Sequence, residues 1–328
     1  MARGPRLTKQ QQRHIDRRRR VTRDVSPEGH DDLAKGIVVA HHGHDLLIED
    51  EEHAHHRARA RRTVGRLTTG DRIRWRHDDH GHVIVEQRQE RANLLIRPDA
   101  YGKRKMMAAN VDQVLIVIAP LPWMNPDVVE RTLVAILALP ARPLIVLNKC
   151  DLLDSLPDEE RVPIESAMTL WTELGFPVRR VSAKSGLGMQ ALQSDLEGRV
   201  SLMIGLSGVG KTSLTREITP LAGDAAIGEI SAFNQEGIHT TRTSTLYRFA
   251  DIPGGLIDAP GVRDFSLETV PRDALEQAFP EIAEQAAYCR FNDCRHRNEP
   301  GCAVRAAAES GEILPRRLAQ FQELSESS

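Results

Sequence analysis

Short apolar runs separated by polar turns occupy the first part of the chain, between residues 35 and 97. Four runs have the length of short strands, at residues 36–40, 45–48, 71–75 and 81–85. Several short strands at close spacing predict a small β-barrel, and an OB-fold is the natural candidate.

Arginines and histidines are concentrated in the same region. Arg57, Arg59, Arg61 and Arg62 fall on a predicted loop or edge strand. A small barrel with such side chains suits nucleic-acid binding, although alternating arginine is also typical of a solvated strand face. Nine of the thirteen histidines lie between His41 and His82. No pair has partners at a convincing ligand spacing, so we interpret them as solvated loop residues.

Continuous apolar runs replace the short ones after Asn110. Residues 113–119, 143–147 and 200–204 are apolar apart from Gln113 and Ser201, as in the strands of a sheet that is covered on both faces. The helical period predicts helices over 127–139, 164–174 and 189–196, and a short strand is predicted over 178–181. This alternation predicts an α/β region with a mainly parallel sheet.

A glycine-rich loop follows the strand at 200–204. Residues 205–212 fit the pattern G-x-x-x-x-G-K-[ST], between a strand and a helix-compatible stretch, as a phosphate-binding loop requires. Its backbone N–H groups and the helix N-terminus attract phosphate. Lys211 is expected to reach the β- and γ-phosphates, and Thr212 to bind Mg²⁺. The predicted nucleotide-binding residues are Gly205, Leu206, Ser207, Gly208, Val209, Gly210, Lys211, Thr212 and Ser213.

Two polar motifs end neighbouring strands of the predicted sheet and resemble the guanine-recognition loops of GTPases. Asp151 can accept hydrogen bonds from guanine N1–H and the N2 amine, an arrangement that adenine does not offer. Asn148 is predicted to brace the loops, the Lys149 stem to lie along the base, and the Ala183 N–H to meet guanine O6. The predicted base-binding residues are Asn148, Lys149, Asp151, Ser182, Ala183 and Lys184.

The remaining GTPase-like motifs lie downstream of the phosphate loop. Residues 256–261 (Leu-Ile-Asp-Ala-Pro-Gly) resemble the Asp-x-x-Gly loop. Asp258 is expected to hold Mg²⁺ through water, and the Gly261 N–H to sense the γ-phosphate. Residues 237–242 resemble a switch I segment, in which Thr241 is the preferred Mg²⁺ ligand and Thr240 the alternative.

The order of the motifs differs from that of ordinary GTPases. Here the base-reading motifs (148–151 and 182–184) precede the phosphate-binding motifs (205–261). This order indicates a circular permutation, which is feasible because the termini of a domain often lie close together at its surface.

A cluster of metal-ligating residues follows: Cys289, Cys294, His296 and Cys302. Three thiolates and one imidazole complete a closed tetrahedral site, which predicts one structural Zn²⁺. The disulfide alternative is disfavoured in a cytosolic protein. An amphipathic helix over 313–324 is predicted to cap this region, and Cys150 is interpreted as a packing residue.

Length and charge complete the picture. A chain of 328 residues is long enough for two or three domains. The net charge of −2 conceals a basic N-terminus, because residues 1–24 carry nine Lys or Arg and two Asp. We expect this segment to be disordered in isolation, as either a solvated tail or a basic arm that orders on RNA phosphates. No apolar run approaches the ~20 residues of a membrane span, and no hydrophobic signal region follows the basic residues. A cytoplasmic protein is expected.

Together these features resemble the RsgA (YjeQ) family of circularly permuted GTPases over nearly the whole chain. The resemblance rests on the basic arm, the barrel, residues 205–213, residues 258–265 and the Cys/His cluster. It implies a basic arm (1–30), an OB-fold RNA-binding domain (31–98), a permuted P-loop GTPase domain (99–275) and a mostly helical zinc-binding domain (276–328). It also implies a monomer that acts on the 30S ribosomal subunit and its 16S rRNA late in maturation, with Mg²⁺ and GTP.

Three functions are compatible with these features. The leading hypothesis is a ribosome-activated GTPase that serves as a checkpoint in small-subunit assembly. The alternatives are a GTPase of another RNA machine, such as tRNA modification, and a non-catalytic RNA-binding protein with a relic nucleotide site. The presence of Lys211, Thr212, Asp258 and Asp151 disfavours the relic.

The predicted catalytic residues are His239, Lys211 and Thr241. Many GTPases place a water-orienting Gln directly after the Asp-x-x-Gly glycine. Val262 occupies that position here, and Gly208 stands where potassium-dependent relatives have an Asn. We therefore expect slow hydrolysis by the isolated protein. His239 is the candidate to position the water on the 30S subunit, and the alternative is that it merely packs or hydrogen-bonds within switch I.

Overall fold

The N-terminal strands close into a barrel. The computed structural model describes residues 33–42, 44–98, 104–123, 125–236, 244–249, 252–259 and 270–326. Strands are ordered β1-β2-β3-β5-β4, with β1 (Ala34–His42), β2 (Asp45–Asp50), β3 (His55–Ala60), β4 (Arg72–His77) and β5 (Val83–Arg88). Alternate residues fill the interior, among them Val38, Ile48, Ile73 and Trp75. The predicted OB-like barrel is confirmed, while the predicted basic arm lies outside the described residues.

The arginine-bearing strand has a partner on each side. β3 pairs antiparallel with β2 and parallel with β5, because closure of the barrel gives every strand two neighbours. The prediction of a loop or edge strand is therefore wrong for β3. Arg57 and Arg59 are exposed on it, with Ala58 buried between them, and Arg61 and Arg62 follow the strand.

Several barrel histidines are packed. The side chains of His55 and His56 on β3 are 3% and 25% exposed. Burial, with His42 beside it, lowers the pKa of His41 on β1. The interpretation as solvated loop residues is wrong for these positions, because strand pairing places them against other side chains. His80, in the turn between β4 and β5, is exposed.

A hairpin of β6 (Leu94–Pro98) and β7 (Arg104–Ala109) leads into a six-stranded sheet. Its strands, β8 (Gln113–Ile118), β9 (Arg142–Leu147), β10 (Val178–Arg180), β11 (Arg199–Ile204), β12 (Thr245–Arg248) and β13 (Gly254–Asp258), run in the order β10-β9-β8-β11-β13-β12. Neighbours are parallel except for β12 and β13. The carboxyl ends of the five parallel strands therefore meet at one edge, where ligands bind in open α/β sheets.

Helices cover both faces of this sheet. α1 (Pro126–Leu137) and α2 (Asp158–Glu173) share one apolar core with inward residues of β8 and β9. α3 (Met189–Leu196) and α4 (Lys211–Ile218) share the core on the opposite face. All six residues of β8 are buried, as its continuous apolar run predicts. α5 (Asp224–Glu236) follows α4 and lies against the barrel.

The C-terminal region is helical, with α6 (Arg272–Ala278), α7 (Pro280–Ala286), α8 (Ala303–Ser310) and α9 (Pro315–Ser325). A buried ionic network joins it to α1. Glu130 on α1, fully buried, accepts hydrogen bonds from Trp171 and Arg316 and lies 3.0 Å from an Arg317 nitrogen. Arg317, 1% exposed, also donates to Glu281. Such a pair holds two helices in one register, because separating it would leave a buried charge without a partner.

From Lys35 onward the chain groups as one compact unit. The predicted boundary at residues 98 and 99 falls within the β6–β7 hairpin, and that at 275 and 276 falls within α6. The boundaries themselves stay predictions. Among the described residues, none of the helices combines the length and apolar character of a transmembrane span.

Candidate active site and metal centre

The predicted nucleotide motifs meet at the carboxyl edge of the sheet. Residues 148–151 follow β9, residues 182–184 follow β10, residues 205–210 follow β11, and Asp258 ends β13. The two base loops, together with Gly210 and α4, surround a cavity of about 660 Å³, which is within the usual size range for ligand sites. Its walls are formed by Asn148, Lys149, Asp151, Leu152, Ser182, Ala183, Lys184, Gly210, Ser213, Arg216 and Glu217.

Two glycines shape the phosphate loop. Gly205 has φ 147° and Gly210 has φ 92°, conformations that favour glycine. A Cβ at Gly205 would overlap the Val117 carbonyl oxygen of β8, and one at Gly210 would overlap the Asn148 amide. The loop therefore passes closely over the ends of two strands. Lys211 Nζ donates to Gly205 O at 2.6 Å, which places the ammonium inside the curve of the loop.

Asn148 joins the phosphate loop to the base loops. Its Nδ2 donates to Val209 O at 2.9 Å, and its Oδ1 accepts from Ala183 N at 3.2 Å. The residue is 1% exposed, and its bond to Val209 is buried while its bond to Ala183 is partly buried. The N–H proposed for guanine O6 thus has an acceptor within the protein, and a bound base would share or replace that bond.

Lys149 and Asp151 face the cavity from the turn after β9. Lys149 has a left-handed backbone with φ 57°, and its Nζ donates to Gly208 O at 2.6 Å and Leu121 O at 3.0 Å. The aliphatic stem therefore crosses from one loop to the other. The Asp151 side chain is exposed, at the start of the 3₁₀ turn Cys150–Ser155. On the other loop, buried Ser182 accepts from Ser185 N at 3.1 Å, which holds the turn.

The predicted magnesium ligands are described in part. Thr212 is exposed at the start of α4, and Asp258 ends β13. Burial raises the pKa of Asp258, and the charge of Lys211 opposes that shift. A bound cation would favour the carboxylate further. His239, Thr240, Thr241, Gly261 and Val262 lie outside the described residues.

The Cys/His cluster has the dimensions of a tetrahedral zinc site. Ligand atoms of Cys289, Cys294, His296 and Cys302 all lie within 4.8 Å of one another. Cys289 Sγ lies 3.9 Å from Cys302 Sγ, and His296 Nδ1 lies 3.6 and 3.5 Å from these two sulfurs. The usual Zn–S and Zn–N lengths require edges of about 3.8 and about 3.6 Å. All four cysteines of the chain are free thiols. The donor set therefore fits one Zn²⁺.

Neighbouring groups hold these ligands in place. His296 has a left-handed backbone with φ 59°, which turns its ring towards the thiols, and its carbonyl accepts from Gln322 on α9. Burial lowers the pKa of His296, which keeps the imidazole neutral and able to bind metal. Cys302 caps α8, since its sulfur accepts from Arg305 N at 3.4 Å. Backbone N–H groups at Arg295, Arg297 and Asn298 donate to Glu299 and help to lower its pKa to about 2.

Known proteins share these features. The family model described as RsgA GTPase matches residues 88–268, more than half of the chain. This chain belongs to the RsgA GTPase family. It is therefore an enzyme, a hydrolase that acts on GTP, and its base-reading loops precede its phosphate loop by circular permutation.

Relatives in the RsgA family match most of the chain. The small ribosomal subunit biogenesis GTPase RsgA of Pseudomonas putida is 40% identical over 305 residues, 92% of this chain and 86% of that protein. The protein of the same name from Yersinia pseudotuberculosis is 38% identical over 334 residues, 98% of this chain and 94% of that protein.

Solved structures agree. The crystal structure of YjeQ from Thermotoga maritima has a TM-score of 0.69 and 30% identity, covering 89% of this chain and 98% of that one. YloQ, described as a circularly permuted GTPase, has a TM-score of 0.64 and 22% identity, covering 93% and 99%, which shows a shared fold.

The motifs of this RsgA-family chain do not include every residue of the cavity wall. Arg216 and Glu217 also line the cavity, three and four residues after Ser213 on α4. Helical spacing from Ser213 places them on the same face, so the sequence contained this signal. The Leu121 carbonyl accepts a hydrogen bond from Lys149. The sequence could not predict this contact, because every residue has a backbone oxygen.

Proposed function

We propose that this protein is a ribosome-activated GTPase that binds the 30S subunit and serves as a late checkpoint in its assembly, hydrolysing GTP to GDP and phosphate. The observation that carries the proposal is a cavity of about 660 Å³ at the base-reading loops, on the same compact unit as an arginine-bearing barrel. Its relatives are named for small-subunit biogenesis. Action on another RNA machine, such as tRNA modification, is the second candidate, because the barrel arginines suit any RNA.

The cavity supports one assignment of the nucleotide. The base lies between the loops joined by Asn148, with Asp151 on its Watson–Crick edge and Ser182, Ala183 and Lys184 beside it. The phosphates lie in residues 205–213, where Lys211 contacts the β- and γ-phosphates and the Gly261 N–H faces the γ-phosphate. Thr212 and Thr241 would hold Mg²⁺ directly and Asp258 would hold it through water, and the ion would supply positive charge beside the phosphates.

Ribosomal RNA is the proposed partner of the barrel and the N-terminal arm. Arg57 and Arg59 are exposed on β3, and the strands and loops of OB-folds commonly bind oligonucleotides. Residues 1–24 add nine basic side chains, which would contact 16S rRNA phosphates. Such a role places the protein in the cytoplasm, and we propose that it acts there as a monomer, with one structural Zn²⁺ bound in its C-terminal region.

Co-sedimentation and turnover test this function together. With a non-hydrolysable GTP analogue, the protein should sediment with 30S particles and not with 50S or 70S particles. Adding 30S subunits should raise multiple-turnover hydrolysis about 100-fold, below the 10³–10⁵ of an arginine finger. Stimulation by a tRNA complex but not by 30S would favour the second candidate. An absence of turnover under all conditions would contradict both.

His239→Ala tests how hydrolysis is activated. With Val262 after the Asp-x-x-Gly motif, the proposed water-positioning group is His239, brought to the nucleotide by 30S contacts. The variant should retain GTP and 30S binding and lose most of the 30S stimulation, about 10²-fold. Gln190→Ala, at an exposed position of α3 outside both the barrel and the cavity, is the control and should behave as wild type. Full stimulation of His239→Ala would assign the water to another group, such as ribosomal RNA.

A further inference from the structure

The barrel holds both elements that flank residues 237–243, the segment proposed as switch I. α5 ends at Glu236 and β12 begins at Thr245. Both α5 and β12 make apolar contacts with the outer face of the barrel. Ile230 and Phe233 of α5 pack with Val39, Ala40 and Leu47, and Tyr247 of β12 packs against the same cluster.

Polar contacts extend this junction along the chain. His42 of β1 lies with its ring 4.9 Å from that of Phe233, and its Nε2 is 3.2 Å from Asn234 Oδ1. Asn234 Nδ2 donates to Thr245 Oγ1 at 3.2 Å. The barrel, α5 and β12 are thus linked by side chains on either side of residues 237–243.

A second link passes through two acidic residues. His55 Nδ1 lies 2.8 Å from Glu229 Oε2 on α5, and His55 Nε2 lies 3.4 Å from Glu49 Oε2 on β2. Arg248 Nε of β12 lies 3.4 Å from Glu49 Oε1, and His53 Nδ1 lies 2.8 Å from the same oxygen. The side chains of His55 and Glu49 are 3% and 4% exposed. One buried pair on the barrel therefore contacts α5 on one side and β12 on the other.

The protonation of His55 decides how many of these contacts it can make. An imidazolium donates from both nitrogens, whereas a neutral imidazole donates from one. Burial by itself lowers the pKa of His55, but the hydrogen bonds to Glu49 and Glu229 outweigh it and raise the pKa above its usual value. Both bonds are therefore fully present at low pH, and one is lost as pH rises through the raised pKa. Arg248 adds positive charge on the far side of Glu49, and His53 Nδ1 contacts the same Glu49 oxygen.

We propose that His55, Glu49 and Glu229 form a latch by which the barrel holds α5 and β12 in a fixed relative position, and that GTP hydrolysis depends on this position. They are positioning residues, because they lie outside the nucleotide cavity and act through the two flanking elements. A buried, packed junction has few alternative arrangements, so its loss shifts those elements as units. The inference rests on the proposed role of Thr241 as a magnesium ligand.

His55→Gln separates the latch from nucleotide binding. Glutamine keeps hydrogen-bonding groups but cannot carry the charge. We expect kcat for GTP to fall about tenfold at pH 6, since small misplacement near the reacting phosphate is costly. GDP affinity should change less than about twofold, because the base and phosphate loops are held by Asn148 and not by the barrel. The ratio of wild-type to variant kcat should decline towards one as pH rises, because wild-type His55 then loses its proton.

Glu229→Gln is the second variant, because its side chain is 59% exposed and its replacement does not threaten folding. It should lower kcat in the same direction, and the double variant should lose no more than His55→Gln alone. His80→Gln is the matched control. If His55→Gln has the kcat of the wild type at every pH while Thr241→Ala has a reduced kcat, the latch is overturned but the switch assignment stands. An unimpaired Thr241→Ala would overturn the switch assignment and the latch together. Losses of kcat that merely follow the unfolded fraction, measured by thermal melting, would also overturn it.

Discussion

Replacement of Asp151 by asparagine is expected to convert a guanine-selective enzyme into a xanthine-selective one. The aspartate offers two acceptors, which match guanine N1–H and the N2 amine. Asparagine turns one acceptor into a donor, which opposes the N2 amine and matches the O2 carbonyl of xanthine. Sites built on buried hydrogen bonds discriminate by up to ~10⁴-fold, so we expect GTP affinity to fall by at least about 100-fold and XTP affinity to rise.

Titration of GTP and XTP against Asp151→Asn measures this reversal. Asp154→Asn is the matched control, because Asp154 is an exposed aspartate in the same 3₁₀ turn, Cys150–Ser155, and does not line the cavity. It should keep the wild-type preference for GTP. Unchanged GTP affinity of Asp151→Asn would contradict the assignment of the base to this loop.

Cys302→Ser is expected to remove the zinc site and unfold the C-terminal region. Structural zinc contributes about 10–16 kcal/mol in small zinc-binding segments, and much of it depends on a complete set of ligands. Serine can still cap α8 as the Cys302 sulfur does. The effect of the substitution therefore reports the loss of the metal ligand and not the loss of the helix cap. Zinc content should fall from one per chain to near zero, and residues from about 280 onward should become sensitive to protease.

Metal analysis of a reduced protein, stripped with a chelator and reloaded with zinc, checks this expectation. Cys150→Ser is the control, because Cys150 is the one cysteine outside the cluster and follows β9. That variant should retain one zinc. GTP affinity of Cys302→Ser should stay within about twofold of wild type, since the loops of the cavity belong to other elements. A wild-type preparation that takes up no zinc would contradict the site.

The nucleotide loops were readable in the sequence because their requirements are local. Gly205 and Gly210 occupy positions where a Cβ would clash with neighbouring atoms, and Lys211 must follow them at a fixed spacing in the chain. The continuous apolar run at β8 likewise reflects burial on both faces, a property of each residue on its own. The spacing of Cys289, Cys294, His296 and Cys302 is local for the same reason, since one short loop presents all four.

The barrel was harder to predict in detail. The sequence indicated a barrel, yet β3 was assigned to a loop or an edge, because a strand's partners are chosen by residues far away in the chain. The histidines show the same limit. His55 is a polar residue in a polar stretch. It links the barrel to α5 only through its contact with Glu229, which lies 174 residues further along the chain.

The sequence by itself thus determined the class of each region, the permuted order of the GTPase motifs, and the Cys/His cluster whose members come together in the fold. These depend on periodicity and on short motifs, which are set by neighbours in the chain. Only the tertiary structure decided which strands pair, that Glu130 and Arg317 lock the C-terminal helices to α1, and that the barrel seats the flanks of residues 237–243. Such contacts join residues that chain order separates, and their free energy comes from burial that exists only once the chain has folded.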